Sequence, residues 1–326
     1  MSLSGHYWTI APVVHHVVRR PSAPPGSARW STVVANEAFG EVRLSGLLSQ
    51  PEGGASRDRA LLIVIHGLGG TNESHYVIPA ARAAHAIGLP CLRINLRGVA
   101  GGADDFYHAG LWQDVAAVVA SPSLAEYTNI YILGYSMGGH VTLRYAAAEV
   151  DPRVRAVAAI CAPLDLDSSA AAIDRPARAL YRHHVLAGLK GMVAGVLRRR
   201  RQALPISFTS LLRITTLREW DRQVVAPRHG FASAEDYYAR VSAGPKLGLL
   251  QRPTLLVQSE ADPMVIPGTV RPALVGSPAQ LDVRWIDRGG HVGFPSTLDL
   301  GERAPRGLER QVLAWLVRHG SAANAT

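Results

Sequence analysis

A serine at position 136 lies in the sequence Gly134-Tyr-Ser-Met-Gly138, between an apolar run (129–135) and a run typical of a helix (137–149). In the pattern G-x-S-x-G the serine occupies a tight turn from a strand into a helix, and the small flanking residues let the two elements approach closely. N–H groups at the start of that helix then face developing negative charge. The pattern predicts that Ser136 is a nucleophile; an ordinary glycine-rich turn is the alternative.

A serine nucleophile in this setting requires an acid and then a histidine further along the chain. Asp262 follows the apolar run TLLVQSE, 126 residues after Ser136, and His291 follows VRWIDRGG, another 29 residues on. Both positions fall where predicted strands end, and ligands meet an open α/β sheet at that edge. We predict that His291 accepts the proton of Ser136, and that Asp262 orients the imidazole and stabilises its charged form.

Other acids could reach the histidine. Asp165 and Asp167 follow the preceding predicted strand, and either remains an alternative to Asp262 as the acid. Asp287 lies just before the turn that carries His291, which is too close to its own strand for this role.

A reaction through an oxyanion requires two backbone N–H donors. One is expected from Met137, directly after the serine, and the second from the loop HGLGGTNESH (66–75), where we predict the Leu68 N–H. The glycines beside His66 suggest that this histidine belongs to the same loop, although they could simply turn the chain. His140, on the predicted helix after Ser136, is expected to be packed or exposed.

Metal, cofactor and disulfide chemistry are not expected. The histidines outside these motifs show no metal-ligand spacing; they include His15, His16, His183 and His184. Cys91 and Cys161 each lie in an apolar run and are predicted to be buried free thiols. Nucleophilic catalysis by serine needs no cofactor.

The length of 326 residues and an apolar content of 48% fit a globular chain with a full core. The formal charge of +9 comes almost entirely from arginine, and no basic stretch is interleaved with aromatic residues, so a nucleic-acid partner is not expected. Neither a signal peptide nor a membrane span is evident in the sequence, which favours a cytoplasmic location.

Short apolar runs alternate with helix-like runs, which predicts a mostly parallel sheet flanked by helices. The predicted strands lie within 59–67, 90–98, 129–136, 153–163, 252–263 and 280–291, and the helices near 74–88, 108–121, 137–149 and 305–319. The domain core is therefore expected at about 41–163 and 252–320. Residues 1–40 are expected to form a wrap-around arm with at most one short strand.

The stretch 164–251 interrupts the alternation and reads as helical, so we predict a helical cap inserted over the edge of the sheet. One of its helices ends in four arginines, Arg198 to Arg201. This run could face a membrane, but a helix packed on the core with arginines at its C-terminus is the preferred interpretation. Peripheral membrane contact is therefore possible but not favoured.

Several stretches together resemble the α/β-hydrolases, and more narrowly the YheT/EMB8-like family related to the membrane-associated ABHD hydrolases. They are GHYWTIAP, HGLGGTNESHY, INLRG, FYHAG, GYSMGGH, REWDRQVVAPRHGFASAEDYY and GGHVGF. They cover most of the chain, including the predicted cap. The acid loop reads Glu260-Ala-Asp262-Pro where relatives often show Asp-Asp-Pro, which leaves Asp262 as the one candidate there.

The resemblance implies an α/β-hydrolase fold and a hydrolase acting on carboxylic esters, with Ser136, Asp262 and His291 as its triad. The expected substrate is a small-molecule ester or an acyl lipid. Acyl transfer by the same triad, or ligand binding without catalysis on this scaffold, are the alternatives. The sequence does not define the acyl chain, the head group or the oligomeric state.

Overall fold

The computed structural model describes residues 3–19, 24–36, 40–52, 59–99, 105–199 and 206–322. Eight strands form one sheet in the order β1-β2-β4-β3-β5-β6-β7-β8. Strand β2 runs antiparallel to β1 and β4, and all other neighbours are parallel. The strands are β1 (Ser27–Asn36), β2 (Gly40–Ser49), β3 (Ala60–Ile65), β4 (Cys91–Asn95), β5 (Asn129–Tyr135), β6 (Val154–Ile160), β7 (Thr254–Ser259) and β8 (Leu281–Ile286).

Helices cover both faces of the sheet, and the predicted α/β-hydrolase fold class is confirmed. The helices are α1 (Leu3–Arg19), α2 (Val77–Ala86), α3 (Trp112–Val119), α4 (Met137–Ala146), α5 (Leu166–Ile173), α6 (Ala179–Arg199), α7 (Phe208–Arg213), α8 (Leu217–Trp220), α9 (Ala226–His229), α10 (Ala234–Val241), α11 (Pro267–Val270) and α12 (Leu308–Ala322). A π-helical segment, Asp221–Val225, joins α8 to α9. Short 3₁₀ helices lie at Pro122–Leu124, Pro176–Arg178, Gly244–Leu249 and Arg271–Leu274.

The central strands are apolar throughout because the sheet is buried on both sides. In β3, Leu61 and Ile63 point into the core shared with α3 and α4, whereas Leu62 and Val64 point into the core shared with α2 and α12. All four side chains are fully buried. This alternation explains why the strand reads as one continuous apolar run rather than as an alternating pattern.

Residues 164–251, between β6 and β7, carry α5 to α10, and we call them the helical insertion. Its longest helix, α6, buries Leu186, Leu189, Val193 and Val196 against the core. Arg200 and Arg201, from the predicted four-arginine run, lie outside the described residues.

The N-terminal region differs from the expectation of an arm with at most one short strand. It contains the 17-residue helix α1, and the ten-residue strand β1 joins the sheet by pairing with β2. Helix α1 was not predicted because Pro12 lies inside it and β-branched valines fill its second half, and both features disfavour a helix. Within the described residues, no helix is long and apolar enough to cross a membrane.

Candidate active site

Ser136 lies at the end of β5, directly before α4, with a φ of 52°. This left-handed conformation costs a non-glycine residue on the order of 1–3 kcal/mol and is a feature of functional sites. The two glycines of the motif are required by space: a Cβ on Gly134 would lie 2.3 Å from the Gly138 carbonyl oxygen, and one on Gly138 would lie 2.4 Å from that of Ile65. The turn thus holds the serine in a strained, fixed position.

The structure brings Ser136, His291 and Asp262 together. His291 Nε2 lies 2.9 Å from Ser136 Oγ, and its Nδ1 lies 2.9 Å from Asp262 Oδ2. The second carboxylate oxygen of Asp262 accepts the N–H groups of Met264 (2.8 Å) and Val265 (2.9 Å). Asp262 and His291 are buried. The arrangement suits an imidazole that donates from Nδ1 to the carboxylate and accepts from the serine hydroxyl at Nε2.

The loop after β3 is held by two tyrosine hydroxyls. The Gly67 N–H donates to Tyr76 Oη (3.0 Å), and the Gly69 N–H donates to Tyr107 Oη (2.8 Å). The amide of Leu68, between them, has no hydrogen-bond partner among the described residues. Met137 is the first residue of α4, so its N–H has no partner within the helix. Leu68 and Met137 both line the same cavity as Ser136.

The side chains of His66 and His140 are buried and hydrogen-bond to backbone groups of neighbouring segments, not to Ser136. Burial lowers the pKa of each to about 4, so both imidazoles are neutral at pH 7. His66 bonds the Gly67 carbonyl through Nδ1 (2.8 Å) and accepts the Leu96 N–H at Nε2 (3.1 Å), which ties the loop after β3 to the end of β4. His140 contacts the carbonyl of Val241 in the helical insertion.

The alternative acids lie elsewhere. Asp165 caps α5 by accepting the Ser168 N–H (2.7 Å), and Asp167 forms an ion pair with Arg218. Asp287 is exposed to solvent. Of the acids weighed from the sequence, Asp262 is therefore the one that the fold brings to His291.

Ser136 and His291 open into a cavity of about 530 Å³, within the usual size range of small-molecule sites. Its walls are mainly apolar, and the helical insertion contributes Leu166, Ile173 and Trp220 to them. Asp221 is one of the polar residues in the wall: it accepts a hydrogen bond from Tyr238 Oη (2.7 Å), and burial raises its pKa to about 7.

Helix α1 contributes two contacts to the site that the sequence analysis missed. Thr9 Oγ1 accepts the backbone N–H of His291 (2.8 Å) and donates to the Gly5 carbonyl (2.8 Å). Gly5 sits so close to the loop of Asp262 that a Cβ there would lie 1.8 Å from the Ala261 carbonyl oxygen. The stretch GHYWTIAP was the available signal, but without a predicted helix it had no assigned role.

Cys161 lies beside the carboxylate of Asp262. Its Sγ and the ligand atoms of Asp262 and His291 lie within 4.8 Å of one another, the one such cluster of potential metal ligands in the described parts of the chain. The Val292 N–H points at Sγ (3.5 Å), and burial raises the pKa of the thiol well above its usual value. Cys161 is therefore a neutral thiol at pH 7.

This fold agrees with the comparisons to known proteins. A model of the alpha/beta hydrolase family matches residues 62–300. The YheT protein of Escherichia coli (strain K12), whose name marks it as an unproven esterase, is 30% identical over 245 residues, which cover 72% of this chain and 70% of that protein. The chain therefore belongs to the alpha/beta hydrolase family, in its YheT-related branch, as the sequence resemblance predicted.

More distant relatives carry lipase names. The monoacylglycerol lipase of Saccharomyces cerevisiae is 23% identical over 72% of this chain and 55% of its own length. Human phospholipase ABHD3 is 22% identical over 72% of this chain and 59% of its own length. The chain thus spans under two thirds of either lipase.

Solved structures agree on the fold alone. Proline iminopeptidase of Mycobacterium smegmatis aligns with a TM-score of 0.54 at 20% identity, covering 90% of this chain and all of that one. An esterase domain from Rhodothermus marinus aligns with a TM-score of 0.51 at 19% identity, covering 91% and 99%.

Proposed function

We propose that this protein is a serine hydrolase that cleaves carboxylic esters, including acyl lipids, through a covalent acyl-enzyme. The observation that carries the proposal is the hydrogen-bonded chain from Asp262 through His291 to Ser136, with both bonds at 2.9 Å, at the wall of an apolar cavity. The strained backbone of Ser136 supports it as well.

In the proposed reaction, His291 Nε2 takes the proton of Ser136 as Oγ attacks the ester carbonyl carbon. The carbonyl oxygen becomes an oxyanion that accepts hydrogen bonds from the Leu68 and Met137 N–H groups. His291 then gives its proton to the departing alcohol, which leaves the acyl group on Ser136. Asp262 stabilises the imidazolium that forms in each step.

The second half of the reaction repeats these steps with water. His291 removes a proton from a water molecule, the hydroxide attacks the acyl carbon, and the proton returns to Ser136 Oγ as the acid leaves. An acyl chain is favoured over a sugar or peptide because the cavity walls are mainly apolar. The lipase names of the distant relatives point the same way.

The test is hydrolysis of p-nitrophenyl esters with chains from about two to sixteen carbons, alongside labelling by a fluorophosphonate, which modifies activated serines. We expect Ser136→Ala to abolish both turnover and labelling. Ser169→Ala is the matched control, since Ser169 lines the same cavity and its hydroxyl has no partner among the described residues. Equal activity in the wild type and Ser136→Ala would refute the assignment.

The same assay separates hydrolysis from the alternatives. New esters formed on addition of an alcohol acceptor would identify acyl transfer by the same three residues. A folded protein that neither turns over any ester nor reacts with the fluorophosphonate would instead be a binding protein.

A further inference from the structure

Helix α1 buries small residues against the protein and exposes large apolar ones to solvent. The side that it buries against the protein carries Gly5 and Thr9. Its solvent side carries Leu3, Val14 and Val18, whose side chains are 88%, 54% and 76% exposed. A surface helix usually buries its large apolar residues and exposes its polar ones.

The exposed apolar residues form one stripe. Leu3, Tyr7, Ile10, Val14 and Val18 recur at intervals of three and four residues, so they lie above one another on a single helix face. We call these five residues the α1 stripe. A contiguous apolar surface of this kind marks a site that something apolar covers.

The α1 stripe is continuous with the wall of the cavity that holds Ser136. Ile10 belongs to the stripe and also lines that cavity, as does Leu180 at the start of α6, which is 68% exposed. His6 and Tyr181 fasten the two helices together: their rings stack at 5.7 Å, and His6 Nδ1 lies 2.5 Å from Tyr181 Oη. Exposed apolar residues of both helices thus belong to one surface beside the cavity.

The charge next to this surface is basic. Helix α1 contains no acidic residue and carries Arg19 in its last turn. Arg175, which is exposed, and Arg182, which is half-buried, flank the start of α6. Apolar side chains flanked by basic residues match the chemistry of an anionic lipid surface, where burial and charge attraction act together.

We propose that the α1 stripe and the start of α6 form a docking surface for an anionic lipid bilayer. The helix lies on the bilayer without crossing it, and the cavity wall shared with Ile10 and Leu180 then meets the lipid. A second copy of the chain bound to the same stripe would lie over the neighbouring cavity and supply no substrate. A bilayer would cover the stripe and also supply acyl chains. The docking of the helix on a bilayer does not depend on the proposed function. Only the idea that the bilayer supplies acyl-lipid substrate rests on that function.

The experiment is flotation of the full chain with two vesicle types, phosphatidylcholine alone and phosphatidylcholine with about 30% phosphatidylglycerol. The test variant is Leu3→Gln/Val14→Gln/Val18→Gln, which replaces three stripe residues that do not line the cavity. The matched control is Ile87→Gln/Leu249→Gln/Val275→Gln, at positions that are 57%, 57% and 87% exposed elsewhere on the molecule. Circular dichroism checks folding, and Val18→Gln alone replaces the triple variant if it fails to fold.

We expect the wild type to float with the anionic vesicles, less so at high salt, and to partition at least about tenfold better than the α1 variant, because burial of the stripe is lost. The control variant should float like the wild type. Absence of flotation, or equal flotation of the two triple variants, would overturn the proposal. A dimer by light scattering that the α1 variant converts to monomer would assign the stripe to a second copy instead.

Hydrolysis of dissolved p-nitrophenyl butyrate by the same samples keeps this result separate from the proposed function. The α1 variant should hydrolyse this soluble ester like the wild type while it loses vesicle binding. If the wild type binds vesicles but cleaves no ester, the docking surface stands and the proposed function fails.

Discussion

Both carboxylate oxygens of Asp262 are engaged, one by His291 and the other by two backbone N–H groups. These contacts fix the carboxylate against Nδ1 of the imidazole and leave Nε2 free to accept from Ser136. An amide at this position would present an oxygen or an NH₂ group to His291 but no negative charge. The charge, and not only the shape, is therefore what this position contributes to the proposed reaction.

The substitution Asp262→Asn should lower kcat by roughly 10³- to 10⁴-fold, because the imidazole loses the partner that sets its tautomer and stabilises its charge. Steady-state kinetics with p-nitrophenyl butyrate measures the loss, and the melting temperature checks the fold. Asp287→Asn is the matched control at an exposed position near His291. Near-normal activity of Asp262→Asn would refute the role of Asp262 as the acid.

Tyr107→Phe removes the acceptor of the Gly69 N–H next to Leu68. We expect kcat to fall about tenfold with little change in KM, since the loop that aims the proposed oxyanion donor loosens. Tyr127→Phe is the control, because that buried hydroxyl also accepts one N–H donor, from Gln50, far from Ser136 along the sheet. Both variants should lose about 1 kcal/mol of stability; an equal effect on kcat would contradict a positioning role for Tyr107.

At the scale of elements, α1 supports the two loops that carry His291 and Asp262. Thr9 holds the backbone of His291, and Gly5 rests on the loop at Ala261. The family model begins at residue 62, so this support comes from outside the matched region. The helix therefore acts on the proposed chemistry through the placement of the loops.

Thr9→Val should reduce kcat by about tenfold, because the buried N–H of His291 loses its acceptor and the loop shifts. Thr9→Ser keeps an oxygen in place and should restore most of the activity, which a purely structural packing role would not predict. Thr254→Val, at a buried threonine of β7 that bonds a backbone carbonyl, controls for the loss of a hydroxyl. If Thr9→Val and Thr9→Ser were equally active, the hydrogen bond to His291 would have no positioning role.

The elements that could be predicted from sequence are those whose signals are local. The run into Ser136 and the helix after it, and the strands before Asp262 and His291, follow from apolar runs and glycines within a few residues. Helix α1 could not be predicted, because its buried face is Gly and Thr and its stability comes from loops near the other end of the chain. The tyrosine contacts of the loop after β3 escaped prediction for a different reason: apolar runs and glycines do not indicate where the hydroxyls of Tyr76 and Tyr107 point.

At the scale of the whole molecule, buried histidines dominate the response to acid. Burial lowers the pKa of His66, His140 and His229 to about 4, whereas in the unfolded chain they titrate near 6.5. The unfolded state therefore binds more protons between those values, and stability falls as the pH drops through that window. Buried acids with raised pKa values, Asp221 foremost at about 7, oppose this fall, since the native state holds their protons more tightly.

We expect the melting temperature to be lower at about pH 5 than at pH 6.5, because more buried histidines than raised acids titrate in this range. Asp221→Asn removes one opposing group and should steepen the fall by up to about 1.4 kcal/mol per pH unit. Thermal unfolding across the window measures both slopes, with Asp287→Asn as the exposed control. An unchanged slope for Asp221→Asn would show that the carboxyl is ionised in the native protein throughout this range.

The contact between Thr9 and His291 joins residues 282 positions apart. During synthesis α1 leaves the ribosome long before the loops that it contacts. The buried face of α1 therefore has no partner until Ala261 and His291 have been made. Because His291 lies 155 positions after Ser136, a nascent chain that ends before residue 291 holds the serine without its proposed base. Until then the apolar stripe and the unpaired small-residue face of α1 are both open, and this interval is when a ribosome-bound chaperone or a nearby membrane would meet them.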